Sequence, residues 1–199
     1  MERAEGRRLV VTILVMLSGG LDSTACLVWA LTETDEPVHV HHMHLVNWER
    51  RHEVEAEACR RIVAYCRQAY RDFETSELTL DFVGMPGIPA DMLCVCFAAG
   101  QLVGQRPDIV RLLIGVCREE GQWWQRWRHI VRMIEGAAWP RPAPELLLPF
   151  LDRTKSEEMA YLPPALRSLV WSCRRPVRTE NGFVPCGSCK ACQFRNIEN

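Results

Sequence analysis

The sequence predicts an α/β fold: a Rossmann-like sheet of five parallel strands with helices on both faces, followed by a small C-terminal helical subdomain with a zinc-type cysteine cluster. Three features lead there. Short apolar runs alternate with amphipathic stretches from residue 9 to residue 150, the order expected of strands joined by crossover helices. The first apolar run opens into a glycine-rich loop and then into helix formers, and sheets of this kind bind ligands beyond the carboxyl ends of their strands. After residue 150 the alternation gives way to short helices, prolines and clustered cysteines. The expected division is an α/β domain over 1–150 and a subdomain over 151–199.

Each element has its own local reason. LVVTILVML (9–17) carries no charge and reads as a strand buried on both faces. Residues 23–34 are helix formers, and VHVHHMHL (38–45) is a second strand. Residues 50–70 place apolar or small side chains at 54, 58, 62, 65, 66 and 69, which is helical spacing. ELTLDFV (77–83) is a third strand and DMLCVCFAAGQLVG (91–104) a buried helix. IVRLLIGV (109–116) is the fourth strand, GQWWQRWRHIVRMIEG (121–136) a helix, and ELLLPF (145–150) the fifth strand.

Length and composition narrow the function. A chain of 199 residues suits one domain with a small appendage. Its net charge of −1 supplies no cationic field to capture nucleic acid, so stable nucleic-acid binding is not expected. The run at 9–17 is too short to span a membrane, and no small-residue cleavage site follows it. Ten cysteines without a secretory signal point to a reducing compartment and a cytoplasmic protein. Of the 24 basic residues only Lys155 and Lys190 are lysines. A retained lysine marks a place where a compact ammonium is wanted, because the guanidinium fork cannot replace a point charge.

The stretch Ser18-Gly19-Gly20-Leu21-Asp22-Ser23-Thr24 has the parts of an anion site. Its glycines let backbone N–H groups approach a ligand, and its hydroxyls sit where the next helix exposes free N–H groups. Asp22 is placed to help hold a magnesium ion. The spacing is neither that of a Walker A loop nor that of a dinucleotide fingerprint. S-G-G-x-D-S after a first strand resembles instead the PP-loop of ATP pyrophosphatases. The bland alternative is a Gly-Gly turn capped by Asp and Ser.

Cys173, Cys186, Cys189 and Cys192 follow the spacing C-x12-C-x2-C-x2-C, which suits tetrahedral thiolate ligation of zinc. The ligands alone also admit an iron–sulfur cluster. Metal binding is expected to fold this polar tail. Cys26, Cys59, Cys66, Cys94, Cys96 and Cys117 fall on apolar positions and read as packing. In the strand, His39 and His41 face one way and His42 and His44 the other, so the four cannot meet one ion. They read as partly exposed strand histidines, with His44 near enough to the carboxyl end to approach a nucleotide. Arg51-His52, with Glu55 beyond, opens a helix on the same crevice, where a substrate role and a solvated charged face both stand.

Taken together, the glycine loop, Arg51-His52-x-x-Glu55 and the tail resemble the 7-cyano-7-deazaguanine synthase (QueC) family. PFLDRTKSEEM (149–159), VWSCRRP (170–176) and PCGSCKACQFR (185–195) follow that family's order and spacing. The resemblance implies ATP and magnesium, adenylation of 7-carboxy-7-deazaguanine, ammonia as nucleophile, a structural zinc and a homodimer. It implies that the loop binds pyrophosphate and that Lys155, which matches the family's Thr-Lys step, faces the phosphates or the adenylate. With the positional readings added, the candidate nucleotide contacts are Ser18 through Thr24 and His44, the candidate catalytic residues are Lys155, Asp22 and Ser23, and the candidate substrate contacts are Arg51 and His52. Thr154-x-x-Glu157 reads as a capping box that sets Lys155 on the first turn of a helix.

Two segments depart from the family. Pro89-Ala90-Asp91-Met92 stands where the family has Pro-x-Arg-Asn. GQWWQRWRHI replaces its Tyr-Pro-Asp-Cys-Arg segment, leaving Arg126 or Arg128 as survivors. Trp123, Trp124 and Trp127 are candidates for stacking on a purine-like ring or for packing. The altered middle leaves open an enzyme that stops at the amide or one that joins the activated deazaguanine to a protein amine. A PP-loop tRNA-modifying enzyme and a non-catalytic zinc-stapled binding module are the other readings.

Overall fold

Thr12–Met16 form strand β1, buried at every residue. It is the centre of a five-stranded sheet in a computed structural model that describes residues 11–85, 91–120 and 123–197. Helix α1 (Leu21–Thr32) follows, then β2 (Val38–Val46), α2 (His52–Ala69), β3 (Glu74–Asp81) and α3 (Asp91–Gln105). The chain continues through β4 (Ile109–Leu113), a short 3₁₀ turn, α4 (Trp123–Ala138) and β5 (Glu145–Leu147). The strand order is β3-β2-β1-β4-β5, and every pairing in this sheet is parallel. From β1 the chain winds outward to β2 and β3, then crosses back to β4. The winding direction therefore reverses between β1 and β4, and the crevice at their carboxyl ends is where such a sheet takes a ligand.

Two cores flank the sheet. Ile13, Val15, Val38 and Val40 pack on one face beneath α1 and α2, and Leu14, Met16, Met43 and Leu45 on the other beneath α3 and α4. This is the two-residue alternation of strands buried on both faces. Helix α1 is apolar almost all round, with nine of its 12 residues buried. It has to be, because it is also covered by α5 (Lys155–Tyr161) and α6 (Pro164–Arg167): Leu162, Leu166 and Val170 share its core. Each such leucine contributes about 1.5–3 kcal/mol of burial. The tail then forms an antiparallel pair, β6 (Val177–Thr179) and β7 (Gly182–Val184), and helix α7 (Lys190–Ile197). Among the described residues no helix is long and apolar enough to cross a membrane.

Several boundaries differ from the sequence expectation. β3 runs over 74–81 rather than 77–83, because its ladder with β2 pairs His39 with Glu74 through Val46 with Asp81. This edge strand starts with polar residues that an apolar reading passes over. β4 stops at Leu113, not at 116, where the chain dips under the start of α1. β5 ends at Leu147, not at 150. α1 begins at Leu21 rather than 23, since Gly20 already accepts the Thr24 N–H at 3.1 Å. Residues 9–10, Pro89 and Ala90, residues 121–122 and the side chains of Trp123, Trp124 and Arg126 lie outside the described residues.

Candidate active site

The glycine loop is a hydroxyl-laced turn. Ser23 Oγ accepts from the Ser18 N–H at 3.2 Å, lies 3.1 Å from Ser18 Oγ, and reaches the Gly20 carbonyl at 3.2 Å. Gly19 takes φ +78°, and a Cβ there would meet Ala58 Cβ at 3.0 Å and the Glu55 carbonyl at 3.1 Å, so the turn presses directly onto α2. The Gly19 carbonyl accepts from the Trp171 N–H at 2.8 Å, which ties the loop to the C-terminal segment. Gly20 caps α1 with no side-chain bond of its own. The first-turn N–H groups of α1 therefore open towards the crevice, with the positive end of the helix dipole behind them. Thr24 is fully buried, and its hydroxyl donates to the Gly20 carbonyl at 2.7 Å. Thr24 and Gly19 thus shape the loop from behind instead of facing a ligand.

Lys155 reaches this loop from 133 residues away in sequence: its Nζ pairs with Asp22 Oδ1. The expected capping box holds it there. Glu157 N–H donates to Thr154 Oγ1 at 3.1 Å, and Thr154 N–H donates to Glu157 Oε2 at 2.7 Å. Glu119 adds a carboxylate that accepts from the Lys155 N–H at 3.0 Å, a favourable charge at a helix start. Beneath the pair lies a group that sequence reasoning missed. Asp22, Cys117 Sγ and Glu158 bring their ligand atoms within 4.8 Å of one another, and Glu158 is 0% exposed. Burial pushes the Cys117 thiol up to about 11, so it sits there protonated. In sequence, Glu158 is the second acid of an ordinary Ser-Glu-Glu, and nothing marks it.

Arg51 sits at the other wall, 9% exposed. Its guanidinium bonds Glu49 at 2.8 Å, Glu55 at 2.5 Å and Asp91 at 2.7 Å. Arg174 joins from the C-terminal segment, 3.1 Å from Asp91. Burial raises the Glu55 carboxyl, while Arg51 opposes that rise. His52 and His44 do not reach this cleft. His44 faces β3, with Nε2 2.9 Å from Glu77. His52 is half-buried on α2, and its Nδ1 has no partner among the described residues. The strand histidines are more buried than expected. His39, His41 and His42 are closed in because helices cover both faces of β2. As expected, they divide between the faces: His39 and His41 share Ser76 Oγ at 2.6 and 2.7 Å, whereas His42 Nδ1 donates to the Leu17 carbonyl at 2.8 Å.

The loop, Lys155 and the Arg51 cluster border one cleft of about 570 Å³, within the range of about 300–1,000 Å³ for small-molecule sites. Ser18, Gly20, Leu21, Asp22 and Ser23 line it on one side. Ser172, Arg174, Lys190 and Phe194 line it from the C-terminal segment.

The four tail cysteines converge. Their sulfurs lie within 4.8 Å of one another, with Cys189–Cys192 at 3.4 Å and Cys186–Cys192 at 3.9 Å. One tetrahedral ion with metal–sulfur bonds of about 2.3 Å spaces its thiolates by about 3.8 Å. A four-iron cluster with bridging sulfides needs them further apart. The set therefore fits a single zinc. Backbone N–H groups of Ser188 and then Cys189 hold the Cys186 thiol down to about 6, so a thiolate is already favoured. Cys26, Cys59, Cys66, Cys94, Cys96 and Cys117 are buried, as their apolar positions implied.

A parallel five-stranded sheet, a glycine loop off its central strand and a tail of four converging thiols define an α/β chain of the PP-loop type. Residues 12–84 match the family model described as queuosine biosynthesis protein QueC. A 7-cyano-7-deazaguanine synthase from Myxococcus xanthus (strain DK1622) is 36% identical over 84 residues, which cover 42% of this chain and 34% of that relative. The match thus spans about a third of the curated relative's length. The U34-tRNA thiolase NcsA from Methanococcus maripaludis with its 4Fe-4S cluster superposes with a TM-score of 0.54 at 12% identity, over 96% of this chain and 65% of that one. The stretch similar to the QueC family carries β1 through β3 with the glycine loop.

Proposed function

We propose that this chain is an ATP-dependent synthetase. It adenylates 7-carboxy-7-deazaguanine and uses ammonia to make first the amide and then the nitrile, 7-cyano-7-deazaguanine, for modification of nucleic-acid guanine. The supporting observation is the meeting of the Ser18–Ser23 loop and Lys155 at one cleft. A carboxylate is a poor electrophile. Its oxygen attacks the α-phosphorus of ATP, the bond to pyrophosphate breaks, and the acyl group acquires a leaving group. Ammonia then adds at the acyl carbon, the carbon–oxygen bond to AMP breaks, and a proton departs. A second ATP adenylates the amide oxygen, and loss of AMP and two N–H protons leaves the nitrile.

In this reading the Gly20 N–H and the Ser18 and Ser23 hydroxyls hold pyrophosphate, and Lys155 meets the charge that develops at the α-phosphate. Asp22 is the loop carboxylate available to magnesium, which screens phosphate charge. Zinc on Cys173, Cys186, Cys189 and Cys192 braces the wall that carries Arg174 and Lys190. Arg51 works from the cleft wall. His52 and His44 have no assigned contact, since neither lines the cleft. The same reading expects a homodimer.

A second outcome is favoured by one observation. Asp91 stands where the family has Arg, and it is locked between Arg51 and Arg174. A wall altered in this way suits an enzyme that stops at the amide or passes the activated deazaguanine to a protein amine. The test is to incubate the protein with ATP, magnesium, ammonium and the deazapurine carboxylate and to weigh the base by mass spectrometry. Nitrile supports the full reaction, and amide alone supports the shortened one. An unchanged base sinks both and leaves the non-catalytic binding module.

A further inference from the structure

Helix α7 begins inside the cysteine cluster. Cys189 precedes it, Cys192 lies in its first turn, and the Gln193 N–H donates to the Cys189 carbonyl at 2.9 Å. Lys190, Ala191 and Phe194 line the cleft. Their spacing puts them on one face of the helix, while Cys192 turns inward to the other thiols. Ligation of a metal by Cys189 and Cys192 therefore fixes where Lys190 and Phe194 point.

Two further observations make this face a ligand contact and not merely a wall. Among the described residues, Arg51, Lys155, Arg174 and Lys190 are the basic residues that line the cleft, and they include both lysines of the chain. Lys155 is already paired with Asp22, whereas no carboxylate among the described residues pairs with Lys190. Among the described residues, Phe194 and Trp171 are the aromatic side chains lining the cleft. Apolar Met92 and Val95 of α3 line it too, so a flat ring in the cleft has apolar surface available to it. An aromatic plane and a lone ammonium on one helix face suit a planar heterocycle that carries an anionic substituent.

We propose that Lys190 and Phe194 form the acceptor subsite: the phenyl ring stacks on the heterocycle, and the ammonium pairs with its carboxylate. This rests on the functional reading above. It assigns the glycine loop and Lys155 to the nucleotide, and the metal-braced face of α7 to the base.

The test uses metal-loaded protein saturated with a non-hydrolysable ATP analogue, titrated calorimetrically with 7-carboxy-7-deazaguanine. Lys190→Gln and Phe194→Leu are each expected to weaken base binding tenfold or more. Phe194→Trp should keep it within about threefold, because an indole also stacks. Affinity for the ATP analogue alone should stay within about twofold in all three, and zinc content should be unchanged. If the wild type binds both ligands and both weakening variants bind the base equally well, the subsite assignment is overturned and the functional reading stands. If the wild type binds the analogue but not the base, the functional reading falls and takes this assignment with it.

Discussion

Gly115 follows β4 at the point where the chain passes under the first turn of α1. A Cβ there would lie 2.8 Å from the carbonyl carbon and Cβ of Asp22 and 2.9 Å from the Ser23 nitrogen. Most of those atoms are backbone and cannot swing aside. Moving the contact from 2.8 Å to an ordinary 3.4 Å means a 0.6 Å displacement of the turn that carries Asp22 and Ser23. Overpacking of this kind costs about 1–3 kcal/mol. A catalytic group misplaced by about 1 Å costs on the order of 100-fold in rate. Gly115→Ala is therefore expected to lower the urea midpoint and to cut base-dependent AMP formation at least about tenfold. Gly136→Ala on α4 is the control: nothing lies within 4 Å of its added Cβ, and it should stabilise by about 0.5–1 kcal/mol. Wild-type stability and rate in Gly115→Ala would refute the claim that close approach of β4 sets the glycine loop.

Three other outcomes follow. Lys155→Met strips Asp22 of its ammonium partner and is expected to lower AMP formation about 100-fold or more in single-turnover assays while the far-ultraviolet circular dichroism stays native. Removal of zinc by a chelator, or Cys189→Ser, should expose residues 173–197 to limited proteolysis and weaken base binding, yet leave cooperative unfolding of the α/β core; equal protease resistance with and without metal would contradict this. Burial, reinforced by His39 and His42, holds His41 down to about 4 in the folded chain. The unfolded chain binds that proton from about pH 6.5, so stability is complete above 6.5 and falls as pH drops towards 4, by on the order of 3 kcal/mol. Urea midpoints from pH 7 to pH 5 measure this slope, and His41→Gln should flatten it.

Sheet, loop and cysteine tail were legible because each follows from local sequence. Continuous apolar runs mark doubly buried strands, Ser-Gly-Gly marks the turn off β1, and C-x2-C-x2-C marks a thiolate site. Lys155 was legible through its capping box and its rarity. What escaped depends on tertiary approach. Glu158 and Cys117 meet Asp22 only because α5 and the segment after β4 converge there. Asp91 is drawn in by Arg51 and Arg174 from two different segments. His44 sits near the right end of its strand, but its side chain is taken by Glu77 on the neighbouring edge strand, a pairing that register decides.

The most direct test is exchange of labelled pyrophosphate into ATP, with metal-loaded protein and magnesium, in the presence and absence of 7-carboxy-7-deazaguanine. Adenylation at the glycine loop predicts exchange that requires the carboxylate and disappears in Lys155→Met. Protein that is folded and zinc-loaded but shows no carboxylate-dependent exchange would contradict it.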